Sequence, residues 1–183
     1  MAAGTMNGGG RGGSWIRIAL WSAAATVLAL PAVAMRFTTE VNWTASDFVF
    51  AAVMIGTVGL LAEVAVRMSS NWSYRAGAAF ALAAGFTTVW ANAAVGMIGN
   101  EDNLYNLLFL GIVAAALVGA MLVRRRSSAL AKVMAAAAAA QLGVSLAGYS
   151  VDPKGAIFSA AFALIWLLSC ALFARAARDP SAA

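Results

Sequence analysis

Long apolar runs alternate with short polar connections along almost the whole chain. A helix needs about 20 mostly apolar residues to cross the hydrocarbon core of a bilayer. Six stretches of the 183-residue sequence meet that length, at about 15–34, 48–66, 76–98, 104–123, 130–149 and 156–174. The pattern predicts an all-α fold: a polytopic transmembrane helix bundle of six spans within residues 14–175, a flexible Gly-rich tail at 1–13 and a short tail at 176–183.

The basic residues predict how these spans are oriented. Ten of the twelve Lys and Arg residues lie before or in the first turn of span one, between spans two and three, between spans four and five or in the first turn of span five, or after span six. They are Arg11, Arg17, Arg67, Arg75, Arg124, Arg125, Arg126, Lys132, Arg175 and Arg178. The other connections carry only Arg36 and Lys154. Because cytoplasmic loops are enriched in Lys and Arg, we expect both termini to lie in the cytoplasm.

Two of the spans have an alternative interpretation. The fifth, 130–149, is rich in alanine and only marginally hydrophobic, but the basic groups at 124–126 and 175–178 both favour the cytoplasm, so an even number of crossings must separate them. The first span ends in Pro-Ala-Val-Ala and resembles a signal peptide with a cleavage site after Ala34. An uncleaved anchor is the favoured interpretation, and the remaining topology is the same in either case.

Composition supports the same class and excludes several kinds of chemistry. Hydrophobic residues make up 63% of the chain and charged residues 10%, against about half and a quarter in soluble domains. There is no histidine and a single cysteine, Cys170, which excludes His-ligated haem, His-based zinc or copper sites and an internal disulfide. We therefore expect no cofactor. No catalytic motif is present, which predicts a protein that is not an enzyme. The net charge of +5 follows from topology, so the expected partner is the lipid bilayer and not nucleic acid.

Small and polar residues within the spans indicate how the helices pack. Helices in lipid associate through close approach at small residues and through a few interhelical hydrogen bonds. Glycine and alanine recur four apart in spans three and four, at 77, 81 and 85 and at 111, 115 and 119. Gln141, near the middle of span five, is expected to form an interhelical hydrogen bond, with contact to a substrate as the less favoured alternative.

Oxygen-bearing side chains concentrate on the connections assigned to the outer face. Five of the seven acidic residues lie there, together with four asparagines: Glu40, Asp47, Glu101, Asp102, Asp152, Asn42, Asn100, Asn103 and Asn106. Hard cations such as calcium bind carboxylate and amide oxygens, but the spacing of an EF-hand is absent, so a metal site is left undecided. Alternatively these connections are solvated, and Asp47 and either Asn103 or Glu101 are helix N-caps.

Two further residues extend this outer-face cluster. Asn92 lies in an apolar run about two turns before Asn100, where a buried amide needs a partner. Arg36 could pair with Glu40, four residues later, or with Glu101. The predicted ligand-binding residues are therefore Arg36, Glu40, Asn92, Glu101 and Asn103.

Two sequence blocks support a resemblance to a known group of proteins. They are RFTTEVNW, which begins at Arg36, and WANAAVGMIGNEDN, which begins at Trp90. The chain resembles, from about residue 35 to 149, a family of small, uncharacterised bacterial multi-pass membrane proteins. The resemblance implies a location in the bacterial inner membrane and carries no reaction, substrate or catalytic residue.

Two functions from different classes are compatible with this sequence. The first is a non-enzymatic membrane protein whose outer-face cluster binds, and could transport, a small polar solute or cation. The second is an accessory or scaffold subunit of a larger membrane complex, with a membrane-protein partner or further copies of the chain. An enzyme is the third alternative and would have to use carboxylates for acid–base work.

Overall fold

The computed structural model describes residues 9–100, 102–124 and 126–179. These residues form six α-helices: α1 Gly9–Ala34, α2 Ala45–Met68, α3 Trp72–Val95, α4 Tyr105–Val123, α5 Ser127–Gly148 and α6 Pro153–Arg178. Among the described residues, α2 to α6 are each long and apolar enough to cross a membrane, whereas the apolar part of α1, Trp21–Ala34, is shorter. The prediction of an all-α fold with several helices suited to crossing a membrane is confirmed, and it is compatible with an integral membrane protein.

Several helix ends differ from those that hydropathy predicts. Span three was expected at 76–98, but α3 begins at Trp72 because the Asn71 side chain accepts a hydrogen bond from the Tyr74 N–H and caps the first turn. It ends at Val95, since Gly96 has a φ of 73°. The expected end at residue 98 is therefore wrong.

At the termini, α1 begins inside the expected tail 1–13 and α6 continues into the expected tail 176–183. Residues 1–8 and 180–183 lie outside the described residues.

The chain divides into two compact units, Met1–Gly59 and Leu60–Ala183. In the first unit, the Trp21 ring lies against Gly59, where a Cβ would come within 2.8 Å of the ring. Thr44 precedes α2, and its N–H donates to Asp47 Oδ2 at 2.7 Å. Asp47 therefore lies in the first turn of α2, where its carboxylate accepts from both the N–H and the hydroxyl of Thr44. The expectation that Asp47 is itself the N-cap is wrong.

The second unit is built around a four-helix bundle of α3, α4, α5 and α6. Each helix packs on the next one in the chain, and α6 closes the ring by packing on α3. We call the end at which α3 leads into α4, and α5 leads into α6, the polar end. The buried residues of each helix recur every three or four positions, as in α6 at Ala156, Ser159, Ala163, Trp166, Ser169, Phe173 and Ala176. One stripe of each helix therefore faces the interior of the bundle.

At the opposite end, α3 and α6 approach each other closely at a small residue. Ser169 Oγ donates to the Gly77 carbonyl oxygen at 2.7 Å. A Cβ on Gly77 would lie 3.1 Å from the Phe173 ring, and that ring packs edge-on against Tyr74 at 5.3 Å. The expectation that Gly77 allows close helix packing is confirmed.

Candidate functional site

Of the five predicted ligand-binding residues the structure describes four, two in each compact unit. Arg36 and Glu40 belong to the first unit and are both exposed, and no ion pair joins them among the described residues. The expected pairing between them fails because residues 35–44 are not helical, so a spacing of four does not place two side chains together. Glu101 lies outside the described residues. Asn92 and Asn103 belong to the second unit, at the polar end.

Asn92 and Asn103 both bond to Asn106, in the first turn of α4. The Asn92 Nδ2 donates to the Asn106 carbonyl oxygen at 2.7 Å, and the Asn106 N–H donates to the Asn103 carbonyl oxygen at 2.9 Å. The Asn103 side chain accepts from the Tyr105 N–H at 3.0 Å, but the N-cap of α4 is Leu104, so the expectation that Asn103 is the N-cap is wrong. These two predicted ligand-binding residues therefore hold the polar end of the bundle together.

Asn106 organises the segment that follows α3. Its Oδ1 accepts from the backbone N–H groups of Met97 and Ile98, at 2.9 and 3.1 Å, and its Nδ2 donates to the Asn100 carbonyl oxygen at 2.7 Å. Asn106 is itself 4% exposed. One buried amide thus satisfies three backbone groups of the 96–100 segment, a role that the sequence analysis did not assign to it.

The 96–100 segment turns two apolar side chains into the bundle. Gly96 and Gly99 have positive φ values of 73° and 68°, which fold the chain back across the helix ends. Between them Met97 and Ile98 are fully buried. A Cβ on Gly148 would lie 2.9 Å from Ile98 Cδ1, so the end of α5 has no room for a larger residue there. Met97 and Ile98 close the polar end with an apolar layer, which we call the Met97–Ile98 plug.

Asp152 fastens the plug to α6. Its Oδ2 accepts from the Gly99 N–H at 3.0 Å, and its Oδ1 accepts from the Lys154 and Gly155 N–H groups at 3.1 and 3.0 Å, which caps α6. Hydrogen bonds from the Gly155 and Gly99 backbone lower the pKa of the Asp152 carboxyl from its ordinary value of 3.8. Asp152 therefore remains ionised under all but strongly acidic conditions.

A layer of buried polar side chains lies beneath the plug. Gln141 Nε2 donates to the Ser159 carbonyl oxygen at 3.0 Å, which joins α5 to α6. The hydroxyls of Ser145 and Ser159 lie 2.8 Å apart and are hydrogen-bonded. Gln141, Ser145 and Ser159 are each at most 2% exposed. The expected interhelical hydrogen bond of Gln141 is confirmed.

Four buried polar atoms within the bundle have no hydrogen-bond partner among the described residues. They are Thr88 Oγ1, Asn92 Oδ1, Gln141 Oε1 and Trp166 Nε1. The orientation of the two amides is fixed, since each must direct its nitrogen at the backbone carbonyl that it bonds. Leaving a buried donor or acceptor unpaired costs about 1–3 kcal/mol, so four together amount to a large fraction of a typical folding free energy of about 5–15 kcal/mol.

The interior of this bundle is mostly apolar, and its buried polar residues carry no charge. All seven buried polar residues that the structure describes are neutral: Thr88, Asn92, Asn106, Gln141, Ser145, Ser159 and Ser169. No group of three or more His, Cys, Asp or Glu residues suited to a metal ion occurs among the described residues. Such an interior can form hydrogen bonds with a small molecule but offers no countercharge to an ion.

Comparison of the chain with protein-family models, with curated proteins and with solved structures found no match.

Proposed function

We propose that this chain is a non-catalytic integral membrane protein that binds a small neutral polar solute inside the four-helix bundle, near its polar end. The observation that carries the proposal is the set of four unpartnered polar atoms within a buried, uncharged interior. Small-molecule sites combine mostly apolar walls with a few convergent polar groups, and this interior has that composition. Movement of the solute across the membrane is one use of such a site.

The contacts favour a neutral solute over a cation. A hard cation needs several oxygen ligands with negative charge among them. Arg36 and Glu40 are exposed, and the amide nitrogen of Asn92 and the side-chain oxygen of Asn103 are engaged in bonds within the fold. The unpartnered atoms, in contrast, belong to residues without charge.

Thermal unfolding of the purified protein in mild detergent tests this proposal, because a ligand that binds the folded state raises its melting temperature. Acetamide and glycerol serve as neutral probes, and the chlorides of sodium, potassium, magnesium and calcium as cation probes. We expect a neutral probe to raise the melting temperature of the parent and of Glu40→Ala, and to lose its effect in Gln141→Leu. Thr88→Val is a second interior variant in case Gln141→Leu fails to fold.

Two results would contradict the proposal. If only a cation stabilised the protein, and Glu40→Ala abolished that effect, the binding site would instead lie at the acidic connection between α1 and α2. The absence of a shift with every probe would favour the second candidate, an accessory subunit of a larger membrane complex. That candidate is supported by α2, in which Ala51 is the single buried residue and in which Gly56 has no atom within 4 Å of its side-chain position. A stoichiometric membrane-protein partner retained through gentle purification would support it.

The proposed location is the bacterial inner membrane, with six spans and both termini in the cytoplasm. The distribution of Lys and Arg supports the orientation, and the family resemblance of the two sequence blocks supports the location. Fusion of a fluorescent protein or a periplasm-dependent phosphatase to the C terminus tests the orientation. Fluorescence without phosphatase activity is the expected result, and the reverse would contradict it.

A further inference from the structure

We propose that the unpartnered atoms of Asn92, Thr88, Gln141 and Trp166 form one row of binding positions for a small primary amide, or for water, which has the same hydrogen-bonding chemistry. This inference rests on the proposed function and specifies the ligand class and the atoms that hold it. The row runs from beneath the Met97–Ile98 plug towards the middle of the bundle.

All four residues lie on the stripes that face the bundle interior. Thr88 and Asn92 are one turn apart on the buried face of α3. Gln141 lies on the buried stripe of α5 and is bonded across to Ser159 on α6. Trp166 follows Ser159 by seven residues on the same buried stripe of α6. The four side chains therefore point into one interior and not onto separate surfaces.

Their depths form a graded series. With a rise of about 1.5 Å per residue, Asn92 lies about 5 Å from the polar end, Thr88 and Gln141 about 10 Å and Trp166 about 20 Å. Side chains in a helix lean towards its N terminus, and α6 begins at the polar end whereas α3 and α5 finish there. The indole of Trp166 thus leans towards the polar end, while Thr88 and Gln141 lean away from it, which brings these three side chains nearer in depth.

Small side chains occur one turn before each of Thr88, Gln141 and Trp166. Ala84 precedes Thr88 by one turn, Ala137 and Ala138 precede Gln141 by one turn, and Ala163 lies one turn before Trp166. These four alanines are among the buried residues. Alanines therefore flank the unpartnered atoms along the buried stripes of α3, α5 and α6.

The unpartnered atoms define the chemistry of their ligand. Asn92 Oδ1 and Gln141 Oε1 can only accept hydrogen bonds, Trp166 Nε1 can only donate one, and the Thr88 hydroxyl can do either. Molecules bound along the row must donate to the two amide oxygens, accept from the indole and carry no charge. A primary amide supplies two N–H donors and a carbonyl acceptor, and water supplies two O–H donors and two lone pairs. An alkali cation offers no acceptor to the indole.

Nuclear magnetic resonance of the Trp166 indole N–H tests the inference on the full-length protein. The six indole signals are recorded with isotope-labelled tryptophan in detergent micelles, and Trp166→Phe identifies the signal of Trp166. We expect this signal to shift saturably as acetamide is added, and to stop responding in Gln141→Leu and in Thr88→Val. Trp72, which is 80% exposed, is the matched control whose signal should not respond in this way.

The outcomes distinguish an amide ligand from water. They also distinguish failure of this inference from failure of the proposed function. A response to acetamide identifies an amide site, whereas cross-relaxation between the Trp166 indole proton and water, without a response to acetamide, identifies a water site. An indole proton that shows neither effect and is protected from exchange with deuterated water would overturn the inference. If a neutral probe still stabilised the protein in that case, the proposed function would stand with a different site.

Discussion

The side-chain nitrogen of Asn92 donates a hydrogen bond to the carbonyl oxygen of Asn106, over 2.7 Å. This bond joins the last turn of α3 to the first turn of α4, where both residues are buried. It also leaves Asn92 Oδ1 directed into the bundle without a partner among the described residues. The side-chain nitrogen of Asn92 thus joins α3 to α4, while its side-chain oxygen remains an acceptor without a partner among the described residues.

Replacing Asn106 by leucine should destabilise the fold strongly. The change leaves the buried N–H groups of Met97 and Ile98 without the acceptor that Asn106 Oδ1 provides. Unpaired buried donors of this kind predict a loss of about 2–4 kcal/mol, or a melting temperature lower by roughly 5–15 °C. Thermal unfolding in mild detergent measures the effect.

Asn103→Ala is the matched control for Asn106→Leu. It removes a single side-chain hydrogen bond, to the Tyr105 N–H, from a partly buried residue. The expected loss is about 1 kcal/mol. Equal effects of the two substitutions would show that Asn106 does not organise the 96–100 segment.

Adding a methyl group at Gly155 should lower stability. A Cβ there would meet the carboxylate of Asp152 and would lie 2.6 Å from the Met97 carbonyl oxygen, which cannot move without shifting the plug. Overpacking of this kind costs about 1–3 kcal/mol. Gly143→Ala is the control, because no atom lies within 4 Å of its side-chain position. Because alanine has a higher helix propensity than glycine, Gly143→Ala should leave stability unchanged or raise it by up to about 1 kcal/mol.

Stability at low pH should depend on Asp152. The pKa of its carboxyl is lowered in the folded state, so its contribution is present above the unfolded value of about 3.8 and is lost as the pH falls through the folded pKa. Asp152→Asn should therefore have a lower melting temperature than the parent near neutral pH, and the difference should shrink in acid below about pH 4. Asp102→Asn, at an exposed position, is the control. A difference between parent and Asp152→Asn that does not change with pH would contradict the assignment.

Sequence reasoning located the helices well because each is a long apolar segment whose position hydropathy determines directly. It misplaced the end of α3, since Met97 and Ile98 continue the apolar run while the positive φ of Gly96 has already ended the helix. Burial of these two residues depends on the chain folding back over the bundle. A window of hydropathy cannot distinguish that arrangement from one more helical turn.

The candidate site could be predicted only in part. Gln141 was identified as a bonded interior amide because a polar residue in the middle of a span needs a partner. Asn92 was selected for the same reason, although its place at the α3–α4 junction was not foreseen. Trp166 was missed because a tryptophan in an apolar span has no distinguishing neighbours in sequence, and its unpartnered nitrogen follows from how α6 packs.

The most direct test of the interior site is the melting temperature of Thr88→Val, measured with and without acetamide and compared with Thr87→Val. Valine matches the shape of threonine without its hydroxyl, and Thr87 bonds to carbonyl oxygens of its own helix. If the Thr88 hydroxyl binds a small neutral molecule, Thr88→Val should not stabilise the protein and should reduce the shift produced by acetamide, while Thr87→Val retains that shift. A Thr88→Val protein that melts at a higher temperature than the parent, with no effect of acetamide on either, would show that the hydroxyl is simply buried without a partner and would contradict the proposed site.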